Sequence, residues 1–450
     1  MDERHEHGQE NQPHEWPQLE AMREHLGNLP FPQGIDEAIR QGMSRAKQRR
    51  RRRKLVRLCA YSACTLLIVI VLSVRFSPAV AAFVKEIPVL GSIVELIQYD
   101  KGLQLALEND FMQKVSLYED IDGIKVTIDG VVADESRVMI FYTLTNMDGR
   151  KGAVYLDEAK IVNSGDIQYG LSYGNSGFDE VWELKQGSID MNLQEGTQLP
   201  NHLELEMKLS PYDKSVKQGD AVYHFNIPID KEKFEGMYET IAINKTVTVE
   251  GQHITFGEMT VYPTRIGIEV EYDAANTKKL FYFDDIRLVD EKGEAFGTIM
   301  NGVSASQIDE NRTILYFQSN YFLKPKELYL RARSIRALDK SKLEVRVDLD
   351  EMKLLSRPDS LLSLESTSKR ELWNERGLIF NLRNDEMRSY NLFKNSYTDA
   401  TGQTFESNRS ESSNEYYQYF IEKVEQQSPI TLTIEDYPAR IYGDVNIQIR

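Results

Sequence analysis

Three periodicities follow one another along the chain. Between residues 31 and 54 apolar positions recur every fourth residue: Ile35, Ile39 and Met43 share one face, widened by Ala38, Gly42 and Ala46. That spacing predicts a short amphipathic helix. Asp36 and Glu37 in its first turn and a basic last turn suit the helix dipole. Periodicity then disappears. The 17 residues from Leu58 to Val74 carry no charge, and counting from Leu55 gives 20, broken only by Arg57. Twenty residues at about 1.5 Å each match a hydrocarbon core of about 30 Å, so residues 55–75 are expected to form a transmembrane helix. Helical spacing returns in residues 76–114, through Ile93, Leu96, Ile97, Leu103, Ala106 and Leu107, with Pro78 and Pro88 as punctuation. This predicts a juxtamembrane helical collar. From about Val115 the period is two.

The alternation runs through Val126 and Ile128, through Val138, Ile140, Tyr142 and Leu144, and through Leu203, Leu205 and Met207. Such runs predict half-buried strands. They also repeat. KVTIDGVVADESRVMIFYTLTN (Lys125–Asn146) aligns without gaps onto HITFGEMTVYPTRIGIEVEYDA (His253–Ala274), which sets Arg137 on Arg265. Leu156–Val162 matches Phe283–Val289. Two alternating strands close each copy: HLELEMKLS and YHFNIPID the first, ELYLRARSI and KLEVRVDL the second. A divergent third copy runs through RGLIFNLRND, SYTDATGQTF, ITLTIEDY and DVNIQIR. The expected fold is therefore mainly β, with tandem immunoglobulin-like β-sandwich modules at 115–232, 238–352 and 368–450. They follow a tail at 1–54, the span at 55–75 and the collar at 76–114. Arg137 and Arg265 read as a shared turn device. Duplicated β-modules point to binding surfaces or spacers.

Charge decides the orientation. The formal net charge is −16, but residues 1–57 carry 12 Lys/Arg against 9 Asp/Glu, and residues 76–450 carry 41 against 61. Arg49, Arg50, Arg51, Arg52, Arg53 and Lys54 flank the span on its N-terminal side. The excess of basic residues there places the N-terminus in the cytoplasm and residues 76–450 outside the cell membrane. The acidic exterior repels nucleic acid, and the arginine run meets a lipid span instead of groove-reading partners, so no nucleic-acid partner is expected. A secretory signal is the other reading of the run, with Ala79-Val80-Ala81 as its cleavage site, although a 57-residue charged leader is far longer than usual for one. Ala79 and Ala81 remain a candidate cleavage region in a stable anchor. The amphipathic face of the tail is too small to bury itself; it either lies on the inner leaflet or docks on a cytoplasmic partner.

The chemistry-bearing motifs are sparse. The two cysteines, Cys59 and Cys64, both lie in the apolar run, so no disulfide framework or Cys-based zinc site is expected outside. No nucleophile elbow, phosphate loop, zincin helix or dinucleotide fingerprint is found. His202, His224 and His253 stand alone in or near strands. Glu119-Asp120-Ile121-Asp122-Gly123 begins like a calcium loop but lacks the distal Glu, and reads as a turn. Asp284-Asp285 reads as a solvated edge. NEYYQYFIEK would put Tyr417 and Tyr419 on one face and Tyr416 and Phe420 on the other, either packed on both sides or offered to an exterior protein or glycan ligand. No catalytic residue, metal or cofactor is expected, and the chain does not read as an enzyme.

The segment FSPAVAAFVKEIPVLGSIVELIQYDKGLQLALENDF, with Pro78, Pro88, Gly91 and Lys101-Gly102, resembles an uncharacterised domain family of Firmicutes single-pass membrane proteins. That family is shared with anti-sigma factors of extracytoplasmic-function sigma factors, the sigma-V type among them. INKTVTVEGQHITFGEMTVYPTRIGIEVEYD resembles a second uncharacterised exterior domain. The resemblance implies a regulator whose tail, through Ile35, Ile39 and Met43, binds a sigma factor while the exterior senses. The tail lacks the His/Cys pattern of zinc-binding anti-sigma factors. The alternative is a membrane-anchored binding or envelope-structural protein with no sigma-factor partner.

Overall fold

The computed structural model describes residues 93–450 except 95, 150–151, 166, 175–181, 195, 212–220, 300–303, 368–374, 384–389, 408, 414–415 and 423–425. The described residues belong to one unit, Ala82–Arg450. Among them no helix is long and apolar enough to cross a membrane; the expected span at 55–75 lies outside the described residues, as do the tail and residues 76–92 of the collar. What is described is mainly β, in several antiparallel sheets.

The described collar contributes helix α1 (Lys101–Glu108), which buries Gly102, Leu103, Ala106 and Leu107. The first module follows. Strands β1 (Gln113–Ile121) and β2 (Ile124–Ala133) form a hairpin through Asp122 and Gly123, at φ of 50° and 74°. Two positive φ values in a two-residue loop give the twist that antiparallel strands need. The Asp120 carboxylate accepts from the Gly123 N–H at 3.2 Å, so the calcium-like stretch is a turn. Then come β3 (Arg137–Asn146), β4 (Val154–Ile161), β5 (Tyr169–Tyr173), β6 (Leu184–Leu193), β7 (His202–Pro211) and β8 (Ala221–Pro228). One sheet has the order β1-β2-β3-β6-β5 and the other β4-β7-β8. A single apolar cluster joins both sheets and α1. Strand β3 is buried on both faces for most of its length, which explains why its sequence, RVMIFYTLTN, is almost continuously apolar.

The second module repeats the plan. Strands β9 (Glu239–Val249) and β10 (Gln252–Val261) turn through Glu250 and Gly251, at φ of 45° and 78°. These are the residues that the sequence repeat sets on Asp122 and Gly123. Next are β11 (Arg265–Tyr272), β12 (Lys278–Phe283), β13 (Arg287–Asp290), β14 (Ala295–Gly297), β15 (Ala305–Gln307), β16 (Arg312–Gln318) and β17 (Leu328–Asp339). The sheet β15-β16-β11-β10-β9 mirrors the large sheet of the first module, and β12-β17-β13-β14 forms the second layer.

The third module contains β18 (Glu344–Asp348), β19 (Lys353–Leu354), β20 (Leu362–Thr367), β21 (Glu375–Leu382), β22 (Phe393–Thr398), β23 (Thr404–Glu406), β24 (Ser410–Ser412), β25 (Tyr416–Glu422) and β26 (Ile430–Ile434). Its sheets run β19-β18-β26-β22-β23 and β20-β21-β25-β24. Tyr417, Tyr419 and Phe420 are all buried, so β25 is packed on both sides, and Tyr416 is its one exposed aromatic residue. Phe393 meets Phe380, Tyr417 and Tyr419 edge-on at centroid distances of 4.8, 5.8 and 5.9 Å.

The last strands depart from the sequence reading. KLEVRVDL does not close the second module: β18 pairs with β26, Val345 opposite Leu432 and Val347 opposite Ile430. The terminal strand β27 (Arg440–Gln448) returns to the second module and pairs with β17, Val445 opposite Ala332 and Ile447 opposite Leu330. In the first module β8 closes on β7 directly. All three closing strands alternate in the same way, so alternation could not say which partner each would take.

Candidate functional site

The residues that the repeat aligned, Arg137 and Arg265, come together. Each opens the third strand of its module, just after a turn, and each is about 1% exposed. Together with Asp100, Asp134 and Asp190 they form a charged seam between α1 and the first two modules.

Asp134 organises the seam at the turn. Its Oδ1 accepts from the Ser136 N–H (2.9 Å), the Ser136 hydroxyl (2.7 Å) and the Arg137 N–H (3.0 Å). Its Oδ2 accepts from the Thr264 N–H (2.8 Å) and the Thr264 hydroxyl (2.6 Å) in the second module. One carboxylate thus caps the β2–β3 turn and the equivalent β10–β11 turn together. A local turn residue has become an inter-module staple.

The two arginines then diverge. Arg137 stays with the first module and the collar: Nε and Nη2 donate to Asp190 at 2.8 and 2.7 Å, and Nη1 donates to Asp100 at 2.8 Å. Burial alone would lower this guanidinium, but Asp190 and Asp100 outweigh it and hold it above its ordinary value. Arg265 crosses the seam. It donates to the Ser136 hydroxyl and carbonyl and to the Asn192 side chain, while its guanidinium lies 3.7 Å from the centroid of the Tyr316 ring. All these acceptors are neutral. Burial lowers its pKa, Tyr316 partly opposes the shift and Arg137 adds to it.

The collar enters through Asp100-Lys101-Gly102-Leu103, and each residue has its own task. Asp100 caps α1, accepting from the Leu103 N–H at 3.1 Å, while its other oxygen holds Arg137. Lys101 reaches Glu294 at 2.8 Å and lies over Phe296. Gly102 is in contact with the second module: a Cβ there would stand 2.5 Å from the Thr264 carbonyl oxygen and 2.6 Å from the Ser319 nitrogen. Leu103 enters the first module's core. Around them Gln318 donates to the Tyr99 carbonyl at 2.8 Å, and Phe322 of the second module meets Phe111 edge-on at 5.7 Å. A cleft of about 380 Å³ opens beside this seam, lined by Ile97, Leu103, Met139, Gln186, Ser188 and Asp190 among others.

The seam holds three carboxylates and two guanidiniums that bond to one another, to turn amides and to side-chain amide and hydroxyl groups. It has the chemistry of a rigid joint. Among the described residues no group of three His, Cys, Asp or Glu is placed to hold a metal ion. Of the residues singled out in the sequence, Ile35, Ile39, Met43, Arg49–Arg53, Lys54, Ala79 and Ala81 lie outside the described residues. Arg137 and Arg265 stand just after equivalent turns, but their side chains share no turn role: Asp134 caps both turns, and the two arginines form the core of the joint through different partners. Asp100, Asp134 and Asp190 went unmarked; the signal that could have found Asp134 was its place three residues before a repeated arginine. Asp284-Asp285 is not a solvated edge. Asp284 binds Arg440 at 2.6 Å and Arg336 at 3.3 Å, and Asp285 accepts from the Arg333 N–H at 2.8 Å.

Comparison with known proteins finds two family matches, whose limits differ from those of the modules: one ends inside the first module and the other runs on into the third. Residues 50–146 are similar to a domain of unknown function, DUF4179, and residues 238–358 to a family of unknown function, DUF5643. The first match ends with β3 and contains Asp100, Asp134 and Arg137; the second contains Thr264 and Arg265. The bond from Thr264 to Asp134 thus joins the two matched segments, while Asp190 and Asn192 of the seam lie outside both. A crystal structure of a conserved domain protein from Bacillus anthracis is similar at 13% identity, covering 54% of this chain and 84% of that chain with a TM-score of 0.37. No curated protein matches the chain.

Proposed function

We propose that the chain is a single-pass regulator of the cell membrane, similar to an anti-sigma factor, with its N-terminus in the cytoplasm and immunoglobulin-like β-sandwich modules outside. The face made by Ile35, Ile39 and Met43 docks on an extracytoplasmic-function sigma factor, and Arg49–Lys54 hold the span in its orientation at the bilayer. An exterior protein or glycan is the input, and cleavage near Ala79 and Ala81 is the release step. No catalytic role is assigned.

The observation that carries this reading is the anchorage of Asp100–Leu103. A domain that only needed tethering could hang from a loose linker. Here the segment leading out of the expected span is held to the first module by a buried ion pair and to the second by a glycine contact. A displacement of either module would pull on that segment. The same joint also suits an envelope-structural protein, in which it would simply resist load.

Capture from a bacterial lysate separates the two. The full-length chain in detergent is the bait, compared with Ile39→Asp and Met43→Asp. Recovery of a sigma factor by the parent and its loss from both variants is the expected result. Equal recovery from all three baits, or none from any, removes the regulatory reading and leaves the structural one.

A further inference from the structure

The exchanged closing strands carry a second repeat, one that the aligned β-modules did not reveal. Val345, Val347 and Leu349 of KLEVRVDL correspond to Val445, Ile447 and Ile449 of the chain's end, each 100 residues on. Their partners obey the same offset. Val445 lies opposite Ala332, and Val345 lies opposite Leu432. The stretch from Ala332 to Val345 is therefore as long as the stretch from Leu432 to Val445. Each closing strand could instead fold back on the strand just before it, Val345 opposite Ala332 and Val445 opposite Leu432, as β8 does on β7, with no change in chain length and the same apolar residues turned inward.

We propose that the second and third modules form an intramolecular strand exchange, and that the ion pair at the crossing of the two connections selects it over the local pairing. The crossing is marked by chemistry. Arg336, near the end of β17, and Asp436, just past β26, are 100 residues apart in sequence, and they bond to each other. Arg336 also lies opposite Arg440 on β27, and Asp284 bridges the two guanidiniums. Tyr282 and Tyr390 lie 4.7 and 5.5 Å from Arg336, ring centroid to guanidinium carbon. Each strand end also bonds to the other connection's backbone, the Ala337 N–H to the Ala439 carbonyl at 2.8 Å and the Ile434 N–H to the Leu343 carbonyl at 2.8 Å. Local pairing would draw each connection into its own hairpin and part Arg336 from Asp436. Exchange is a low-cost rearrangement when the two elements are alike, so a few charged contacts can decide between them. The device ties the third module to the second through two strands instead of one linker.

Disulfide trapping tests this in the full-length chain with Cys59 and Cys64 changed to Ser. Arg331→Cys with Asn446→Cys reports the exchanged pairing, since these residues are opposite. Arg331→Cys with Arg346→Cys reports the local one. Each protein is unfolded, refolded and oxidised, and the bond is identified in a peptide digest. The parent sequence should give the exchanged bond with little of the local one. Asp436→Asn should raise the local-to-exchanged ratio at least about tenfold, and Asp436→Lys should raise it further, since a charged hydrogen bond is lost in one and made repulsive in the other. If Asp436→Lys does not fold, Asp436→Asn alone decides. A ratio unmoved by Asp436→Asn overturns the proposal, as does a local bond that dominates in the parent.

Discussion

The joint between the first two modules and the joint between the last two solve one problem in opposite ways. At the first, each chain segment stays in its own sheet and side chains cross: Asp134 staples two turns, Arg265 reaches into the neighbour and Arg137 holds the collar. At the second, backbone crosses: β18 and β27 each complete the other module's sheet, and charges gather only at the crossing. The first joint is almost wholly buried: Arg137 serves two carboxylates, Asp100 and Asp190, while Asp134 is held by amides and hydroxyls. The second is less completely buried and its two aspartates are driven apart. Burial pushes Asp436 up to about 6 against the pull of Arg336. For Asp284 burial acts upward too, but the bonds from Arg440 and Ser334 win and hold it below its ordinary value. A side-chain joint should therefore fail through the loss of one charge, whereas a strand-exchanged joint should fail through the loss of a strand and respond to pH.

The largest effect expected from a charge at the first joint is that of Arg137→Met. It leaves Asp100 and Asp190 buried without their cation and should cost about 3–5 kcal/mol in urea unfolding. If it costs less than about 1 kcal/mol, the joint is not the rigid element described here. Gly102→Ala comes next. The added methyl group would overlap two backbone atoms of the second module, so a loss of about 1–3 kcal/mol is expected, with faster proteolysis between the collar and β1.

The pH response sharpens the contrast at the second joint. Because the folded-state pKa of Asp436 is raised, its contribution to stability is fully present below its unfolded value of 3.8 and is lost as pH rises through about 6. Asp436→Asn should flatten unfolding free energy against pH across that window by about 3 kcal/mol. Asp129 in the first module, also raised to about 6 by burial, should leave a residual slope of the same sign. Smallest of all is Lys101→Ala. The ion pair with Glu294 is about one-third exposed on each side, so the change should be under about 1 kcal/mol and should vanish in high salt.

How much of this was legible depends on range. Period-two alternation located the strands, and the gapless repeat placed Arg137 on Arg265 before any contact was known. The turns at Asp122-Gly123 and Glu250-Gly251 could be read because a two-residue loop is decided by its own residues. Asp284 could not be read, because the arginine that binds it is 156 residues away. The exchange was hidden for a different reason. Inward Val345 and Val347 suit either β17 or β26, and the sequence pattern records which face a residue turns but not which sheet it joins. The expected docking face at Ile35, Ile39 and Met43 rests on helical spacing and resemblance alone, apart from any geometry.

Native-state hydrogen exchange on Ile447→Asp and Val347→Asp tests the central claim most directly. Both side chains are buried in closing strands, so each substitution should unseat its own strand. The exchanged arrangement predicts a crossed result: Ile447→Asp, at the chain's end, loosens amides of β11 in the second module and spares β21 in the third, while Val347→Asp does the reverse. If Ile447→Asp instead loosens β21 and leaves β11 protected, the closing strands are local and the second joint is no exchange at all.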